Sequence, residues 1–279
     1  MPELPEVETV RRSLLPLIGR TVAAAQIGAF TGVIGSTAPE TFAALIEGRV
    51  VRDLRRRGKY LFIDFDDKSA LLIHLRMTGQ LISTSSDTPP IRFEHLKLIL
   101  DDGGSIRFAD QRKFGRVIYL PPFTPDPLAA KLGPEPLSAA FSARYLFAYT
   151  RKRTAPIKAL LLDQRAVAGL GNIYVDEALW LAKLHPLVPS GELTAEQTAR
   201  LTRTVKRVIR SGIEHRGTSF SHFVDGDGAS GGNQHHLSAY GRGRTGEPCL
   251  RCGNPMQWLT AGGRTSHYCP ICQQAPDQN

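Results

Sequence analysis

Two cysteine pairs near the C-terminus set the tightest limit on what this chain can fold into. Cys249-x-x-Cys252 and Cys269-x-x-Cys272 hold its four cysteines, all within the last 31 residues and with 16 residues between the pairs. Each CxxC can close a tight turn with two thiolates on one side, and two such knuckles complete a tetrahedral four-cysteine zinc site. Clustering of this kind reads as a metal site rather than as a disulfide framework or four unligated thiols. One structural Zn2+ is the expected cofactor, with four protein ligands and no open position. It would support a hairpin too small to bury a core of its own. The intervening GNPMQWLTAGGRTSHY suits that hairpin, with Ala261-Gly262-Gly263 at its tip and Arg264 projecting from it.

The rest of the chain is much larger than this element. At 279 residues and 42% hydrophobic it can bury substantial cores, and its length suggests two domains. Lys and Arg number 35 against 26 Asp and Glu, a net charge of +9. That excess points to a polyanionic partner, nucleic acid ahead of a membrane surface. No apolar run approaches the roughly 20 residues that span a bilayer, and no basic, then apolar, leader opens the chain. A soluble intracellular protein is expected.

Periodicity changes along the chain. From about residue 5 to residue 15, Val7, Val10 and Leu14 recur at i, i+3 and i+7, with Glu6 and Glu8 early and Arg11 and Arg12 late, as a helix dipole favours. Residues 22–120 read as short β runs. KYLFIDFDD (59–67) and ALLIHLRMTGQLI (70–82) flank a turn at Asp66-Asp67-Lys68, and HLKLILDDGGSIRF (95–108) is a hairpin with Asp-Asp-Gly-Gly at its tip. PPFTPDPLAAKLGPEP (121–136), with six prolines, reads as a linker. Helical patterns follow over 142–153, 156–184 and 194–216, the last opening on Thr194-x-x-Gln197, a capping box. Residues 217–232 form a glycine-rich polar loop, read as mobile.

Several short motifs carry chemistry and a plainer alternative together. In GLGNIYVDE (169–177) the glycines permit a tight turn and Asn172 can begin a helix whose first amides suit a phosphate; a purely structural turn fits as well. In DQRKFG (110–115), Arg112 and Phe114 share a strand face, so a cation and a ring could enter a groove together, or simply pack. LRRRGKY (54–60) is a charge run in which Lys59, after Gly58, is best placed to aim inward. Alternation through IHLRMTG sends His74, Arg76 and Thr78 to one side and puts Leu75 and Met77 in the core.

Taken in order, PELPEVET, RRGKY, HLRMTG, DQRKFG, AGLGNIYVDE and YCPICQQ resemble the formamidopyrimidine-DNA glycosylases from Pro2 to Gln274. These are bifunctional base-excision-repair enzymes that remove oxidised purines such as 8-oxoguanine and then cut the strand. The resemblance implies an α+β protein. A β-sandwich with flanking helices spans residues 1–120, a linker 121–136, a helix–two-turns–helix domain 137–244 with a lesion loop at 217–240, and a zinc ribbon 245–275. Duplex DNA would lie in the cleft between the domains of a monomer working in the bacterial cytoplasm, at the nucleoid.

Carried over by position, Pro2 would be the nucleophile, Glu3 the acid near the sugar, Lys59 the proton donor of β-elimination and Arg264 its counterpart in δ-elimination. His74 and Asn172 would hold phosphates around a flipped nucleotide, with His95, Arg112 and Arg153 as further DNA contacts and Lys158 near the lesion. Met77, Arg112 and Phe114 would fill the gap left by the extruded base. Two positions depart from the family pattern: Asn233 replaces a common aromatic residue, and Thr78 stands where many members carry an acid. Both bear on base recognition. Two alternatives are an endonuclease VIII-like enzyme for oxidised pyrimidines and a non-catalytic zinc-ribbon DNA-binding protein in which Pro2 and Glu3 merely start a helix.

Overall fold

The opening residues form the helix their spacing predicts. A computed structural model describes residues 1–276, and in it α1 spans Leu4–Ser13, with Val7 and Val10 buried and Leu14, its C-cap, buried as well. Glu3 is the N-cap in extended conformation, and its N–H donates to Glu6 Oε2 at 2.8 Å, one arm of a capping box. Residues 1–127 and 213–234 make one compact unit; residues 128–212 and those from His235 on make a second.

The first unit is a sandwich of two antiparallel four-stranded sheets. After β1 (Val22–Ile27) and the short α2 (Pro39–Ile46) come β2 (Val51–Arg57), β3 (Tyr60–Phe65), β4 (Ala70–His74), β5 (Gly79–Ser85), β6 (Glu94–Leu100), β7 (Gly104–Asp110) and β8 (Arg116–Leu120). One sheet is ordered β1-β6-β7-β5 and the other β2-β3-β4-β8. Their inward residues share one core: Leu54, Ile63, Leu71, Ile73 and Val117 from one sheet, and Leu81, Leu96, Leu98, Ile106 and Phe108 from the other, together with Val7, Val10 and Leu14 of α1. Alternation at a period of two is what lets each sheet bury one face.

Three turns in this unit decide where side chains go. Arg57 pairs with Tyr60, so Gly58 and Lys59 are the two-residue loop of the β2–β3 hairpin, and Gly58 takes the positive φ (+56°) that the loop requires. The β6–β7 hairpin turns at Asp101–Gly103, as expected. The run 70–82, however, is not one strand. It breaks after His74 into a turn in which Arg76 has φ +55° and the Gly79 N–H donates to the Leu75 carbonyl at 2.9 Å. A Cβ on Gly79 would lie 2.4 Å from that carbonyl oxygen, so the turn needs glycine there. The strand therefore stops at His74; Leu75 still reaches the core as expected, but Met77 is half-buried in a turn.

In the second unit, residues 128–142 carry turns but no helix or strand, and five helices follow: α3 (Ala143–Thr150), α4 (Ile157–Leu162), α5 (Asn172–Ala182), α6 (Ala195–Glu214) and α7 (Arg242–Thr245). Ser142 caps α3 by accepting the Tyr145 N–H. The α6 capping box forms as expected: the Thr194 N–H donates to Gln197 Oε1 at 2.8 Å and the Gln197 N–H to Thr194 Oγ1 at 3.1 Å. α5 is buried nearly all round, the mark of a central helix. Gly212 lets α6 approach it, since a Cβ there would meet the Tyr174 ring at 2.5 Å. The last two strands among the described residues, β9 (Gln257–Ala261) and β10 (Arg264–Tyr268), form a hairpin whose two-residue tip, Gly262-Gly263, has both φ values positive.

Candidate active site and nucleic-acid interface

Pro2 and Glu3 are both buried at the N-terminal end of α1, Glu3 to 2% exposure. That end of a helix carries the positive pole of its dipole, which favours a carboxylate beside it and disfavours a protonated amine. Two carboxylates clamp the helix. Glu6 Oε1 accepts the Thr218 N–H at 2.7 Å, tying the 217–232 loop to the terminus. Glu8 meets Arg11 and Arg12 at 2.9 Å and Arg56 of β2 at 3.1 Å. Burial alone would raise the Glu8 carboxyl, but these arginines prevail and hold it down at about 2. Arg11 Nη1 also donates to the Leu54 carbonyl at 3.1 Å. The helix bearing Pro2 and Glu3 is thus fastened to the hairpin bearing Lys59, which is itself buried in its turn.

His74 lies opposite Tyr60 in the β3–β4 ladder, its ring edge-to-face with the tyrosine at 4.5 Å. The Arg76 N–H donates to its Nδ1 at 2.9 Å. Burial, then the charges of Arg76 and Lys59, push the imidazole down to about 3. With Nδ1 accepting and the ring neutral, Nε2 carries the hydrogen and is a donor for an anion.

Met77 sits in the β4–β5 turn, Arg112 and Phe114 in the loop between β7 and β8. Phe114 is 51% exposed, and the Arg112 guanidinium lies 4.8 Å from its ring centroid. The loop is organised by Asp110, 1% exposed, whose Oδ1 accepts the Arg112 N–H at 3.1 Å and whose Oδ2 accepts the Gly115 N–H at 2.6 Å. His95 is buried: its Nε2 donates to the Asp110 carbonyl at 2.9 Å and its ring meets Phe30. As placed, His95 supports this loop from within and is not a surface group. The 217–232 loop, expected to be mobile, is held by specific bonds, among them Asn233 Nδ2 to Thr218 Oγ1 at 2.8 Å and the Gly226 N–H to Ser13 Oγ at 2.8 Å.

The second unit presents the remaining residues. Asn172 is the first residue of α5, after Gly169 at φ +86°, and its Nδ2 donates to the Thr265 carbonyl at 2.9 Å. Arg264 is exposed at the start of β10, and Arg153 is exposed with its guanidinium 3.9 Å above the Tyr149 ring centroid. Lys158 is fully buried, with Nζ 2.7 Å from Asp176 Oδ1 and 2.7 Å from the Thr265 carbonyl, so it braces the hairpin. Asp176 also accepts Ser266 Oγ–H and the His267 N–H, both at 3.0 Å. Its neighbour Glu177 accepts the N–H groups of Ser238, Ala239 and Tyr240 at 2.8–2.9 Å.

The four cysteine sulfurs lie within 4.8 Å of one another, with Cys252 and Cys269 at 3.5 Å. Four thiolates each about 2.3 Å from one zinc ion would be roughly 3.8 Å apart, so the cluster fits a single structural Zn2+. Sequence reasoning missed Asp110, Asp176 and Glu177 as organising residues. The signal was present for each: a carboxylate inside a motif at the end of a strand, or adjacent acids on an otherwise apolar helix.

Comparison with known proteins agrees along the whole chain. The family model of the formamidopyrimidine-DNA glycosylase N-terminal domain matches residues 1–117, that of its H2TH domain residues 132–224, and a zinc finger found in FPG and IleRS residues 246–275. A formamidopyrimidine-DNA glycosylase of Herpetosiphon aurantiacus is 46% identical over 98% of this chain and 100% of its own length. The Lactococcus lactis Fpg, solved with DNA containing N7-benzyl-Fapy-dG, is similar at a TM-score of 0.91 and 36% identity, covering 98% of this chain and 100% of that one. The Thermus thermophilus Fpg is similar at a TM-score of 0.86 and 38% identity, covering 99% and 100%. With its three domains matched in order and its relatives aligned end to end, the chain belongs to the formamidopyrimidine-DNA glycosylase family.

Proposed function

We propose that this DNA glycosylase and AP lyase removes oxidised purines, 8-oxoguanine and formamidopyrimidines, from duplex DNA through a Schiff base on Pro2. The observation that carries the assignment of Pro2 is the clamped terminus: a proline and a carboxylate buried together at the positive end of a helix that Glu6 and Glu8 hold in place. A nucleophile on a frayed end would forfeit the positional advantage of covalent catalysis. Once Met1 is removed, Pro2 is a secondary amine. α-Amines titrate near 7.7–8.0 against about 10.4 for lysine, so far more of this amine is neutral at pH 7.

The neutral amine attacks C1′, its N–C bond forming as the glycosidic bond breaks; the nitrogen then loses its proton and its lone pair expels O4′, which Glu3, the acid beside the sugar, protonates as the C1′–O4′ bond opens. The iminium that results has no N–H to lose and acts as an electron sink. It acidifies C2′–H; loss of that proton expels the 3′-phosphate, with Lys59 as proton donor. A second elimination, assigned to Arg264, releases the 5′-phosphate, and hydrolysis of the imine frees Pro2. Stacked bases block C1′, so the nucleotide must first leave the helix, at a cost of a few kcal/mol. His74 Nε2–H and Asn172 are the proposed phosphate contacts that help offset it, with Arg112 and Arg153 as further DNA contacts and Met77, Arg112 and Phe114 in the vacated space. The zinc holds the hairpin that carries Arg264 and takes no part in the steps.

Lactococcus lactis Fpg solved with Fapy-dG and with abasic-site DNA supports this substrate class. Among the described residues no helix is long and apolar enough to cross a membrane. We further propose that the protein acts as a monomer in the bacterial cytoplasm, at the nucleoid. Borohydride trapping tests the central step. Met1-processed protein should form a covalent adduct with an 8-oxoguanine:cytosine duplex, and protein with a blocked, extended N-terminus should form none. Unimpaired cleavage by the blocked protein would eliminate Pro2 as nucleophile, whereas an adduct confined to oxidised pyrimidines would reassign the substrate.

A further inference from the structure

Thr78 joins the turn bearing Met77 to the loop bearing Arg112 and Phe114 through its side chain. It follows Met77 directly and precedes Gly79, which pairs with Asp110 at the end of the β5–β7 ladder. Its hydroxyl donates to Asp110 Oδ1 and accepts the Arg112 N–H at 3.2 Å, while the same Asp110 oxygen accepts that N–H at 3.1 Å. Asp110 is fixed in turn by the Gly115 N–H at 2.6 Å and by His95 on its carbonyl at 2.9 Å. A hydroxyl suits this position because it donates and accepts at once. Valine has the same shape and does neither; a carboxylate would face Asp110 as a like charge.

We propose that Thr78 is a positioning residue that clasps the two loops, so that Met77, Arg112 and Phe114 enter the space of an extruded nucleotide as one body. The proposal rests on the reading above, in which those three side chains fill that space. Loosening the clasp should slow the extrusion of a stacked base and leave later chemistry alone. An abasic nucleotide has no base to unstack, so its cleavage is the internal control.

Single-turnover cleavage of an 8-oxoguanine:cytosine duplex and of a pre-formed abasic duplex is compared for wild type, Thr78→Val and Thr78→Ser. Losing a half-buried hydrogen bond of ordinary strength to a carboxylate should slow Thr78→Val about five- to tenfold on 8-oxoguanine. Abasic cleavage should stay within about twofold of wild type, and Thr78→Ser, which keeps the hydroxyl, should recover most of the 8-oxoguanine rate. Wild-type rates for Thr78→Val on 8-oxoguanine would overturn the clasp. So would equal slowing on both duplexes, or no recovery with serine. Wild-type protein that cuts neither duplex would defeat the Pro2 reading, and the clasp with it.

Discussion

Replacing Asp176 with asparagine should destabilise the second unit severely while leaving every cysteine in place. Asp176 and Lys158 are both fully buried, 2.7 Å apart, and Asp176 also receives Ser266 Oγ–H and the His267 N–H at 3.0 Å from β10. The substitution keeps size and removes the charge, so the Lys158 ammonium is left buried beside a neutral amide that can turn its NH2 toward the cation. Breaking a buried pair on one side costs about 3–5 kcal/mol. With a urea m-value of roughly 1–3 kcal/mol/M, the unfolding midpoint should fall by about 1–5 M. Tryptophan fluorescence reads this unit selectively, because the chain's two tryptophans, Trp180 and Trp258, both belong to it. The paired change Lys158→Met with Asp176→Leu removes both charges and should recover much of the loss. A midpoint within about 0.3 M of wild type for Asp176→Asn, equivalent to about 0.3–0.9 kcal/mol, would refute the brace. So would a double variant no better than the single one.

The Glu8 cluster predicts an acid-dependent loss. The carboxyl falls from 4.5 to about 2 in the folded protein, so its stabilisation is complete above pH 4.5 and disappears as pH drops toward 2. Glu8→Gln should therefore cost about 2 kcal/mol at pH 7, discounted because Arg12 is half exposed, and the gap to wild type should narrow between pH 4.5 and 3. A gap that stays constant over that range in urea titrations would contradict the assignment. Zinc removal gives a further prediction. Chelation, or Cys272→Ser, should unfold the 249–272 hairpin, lower cleavage of damaged DNA at least about tenfold and abolish the near-ultraviolet signal of Trp258. Full cleavage by zinc-free protein would show that the ribbon does not support the activity.

Local patterns were legible in the sequence to different depths. The α1 stripe, the Thr194–Gln197 capping box, the β6–β7 hairpin and the glycine-tipped zinc hairpin each depend on neighbours a few residues apart, and each formed as read. The run 70–82 misled because its alternation continues through Leu75–Thr78, while the turn there is imposed by a close approach at Gly79 that the apolar pattern does not encode. Met77 was consequently assigned to the core. Lys158 was placed only by the family resemblance; no local pattern announces that its partner is Asp176, 18 residues on.

By itself the sequence determined the class of each half, the cysteine cluster, and the motif order that marks the family, because these rest on residue type and short spacing. Only tertiary structure decided which charges are spent internally and which remain at the surface. Glu6 reaches Thr218 across 212 positions, Thr78 reaches Asp110 across 32, and Lys158 and His95 turn inward to brace loops. Such pairings form because a buried polar group must find a partner, and the partner it finds depends on which strands and helices the whole fold brings within about 3 Å.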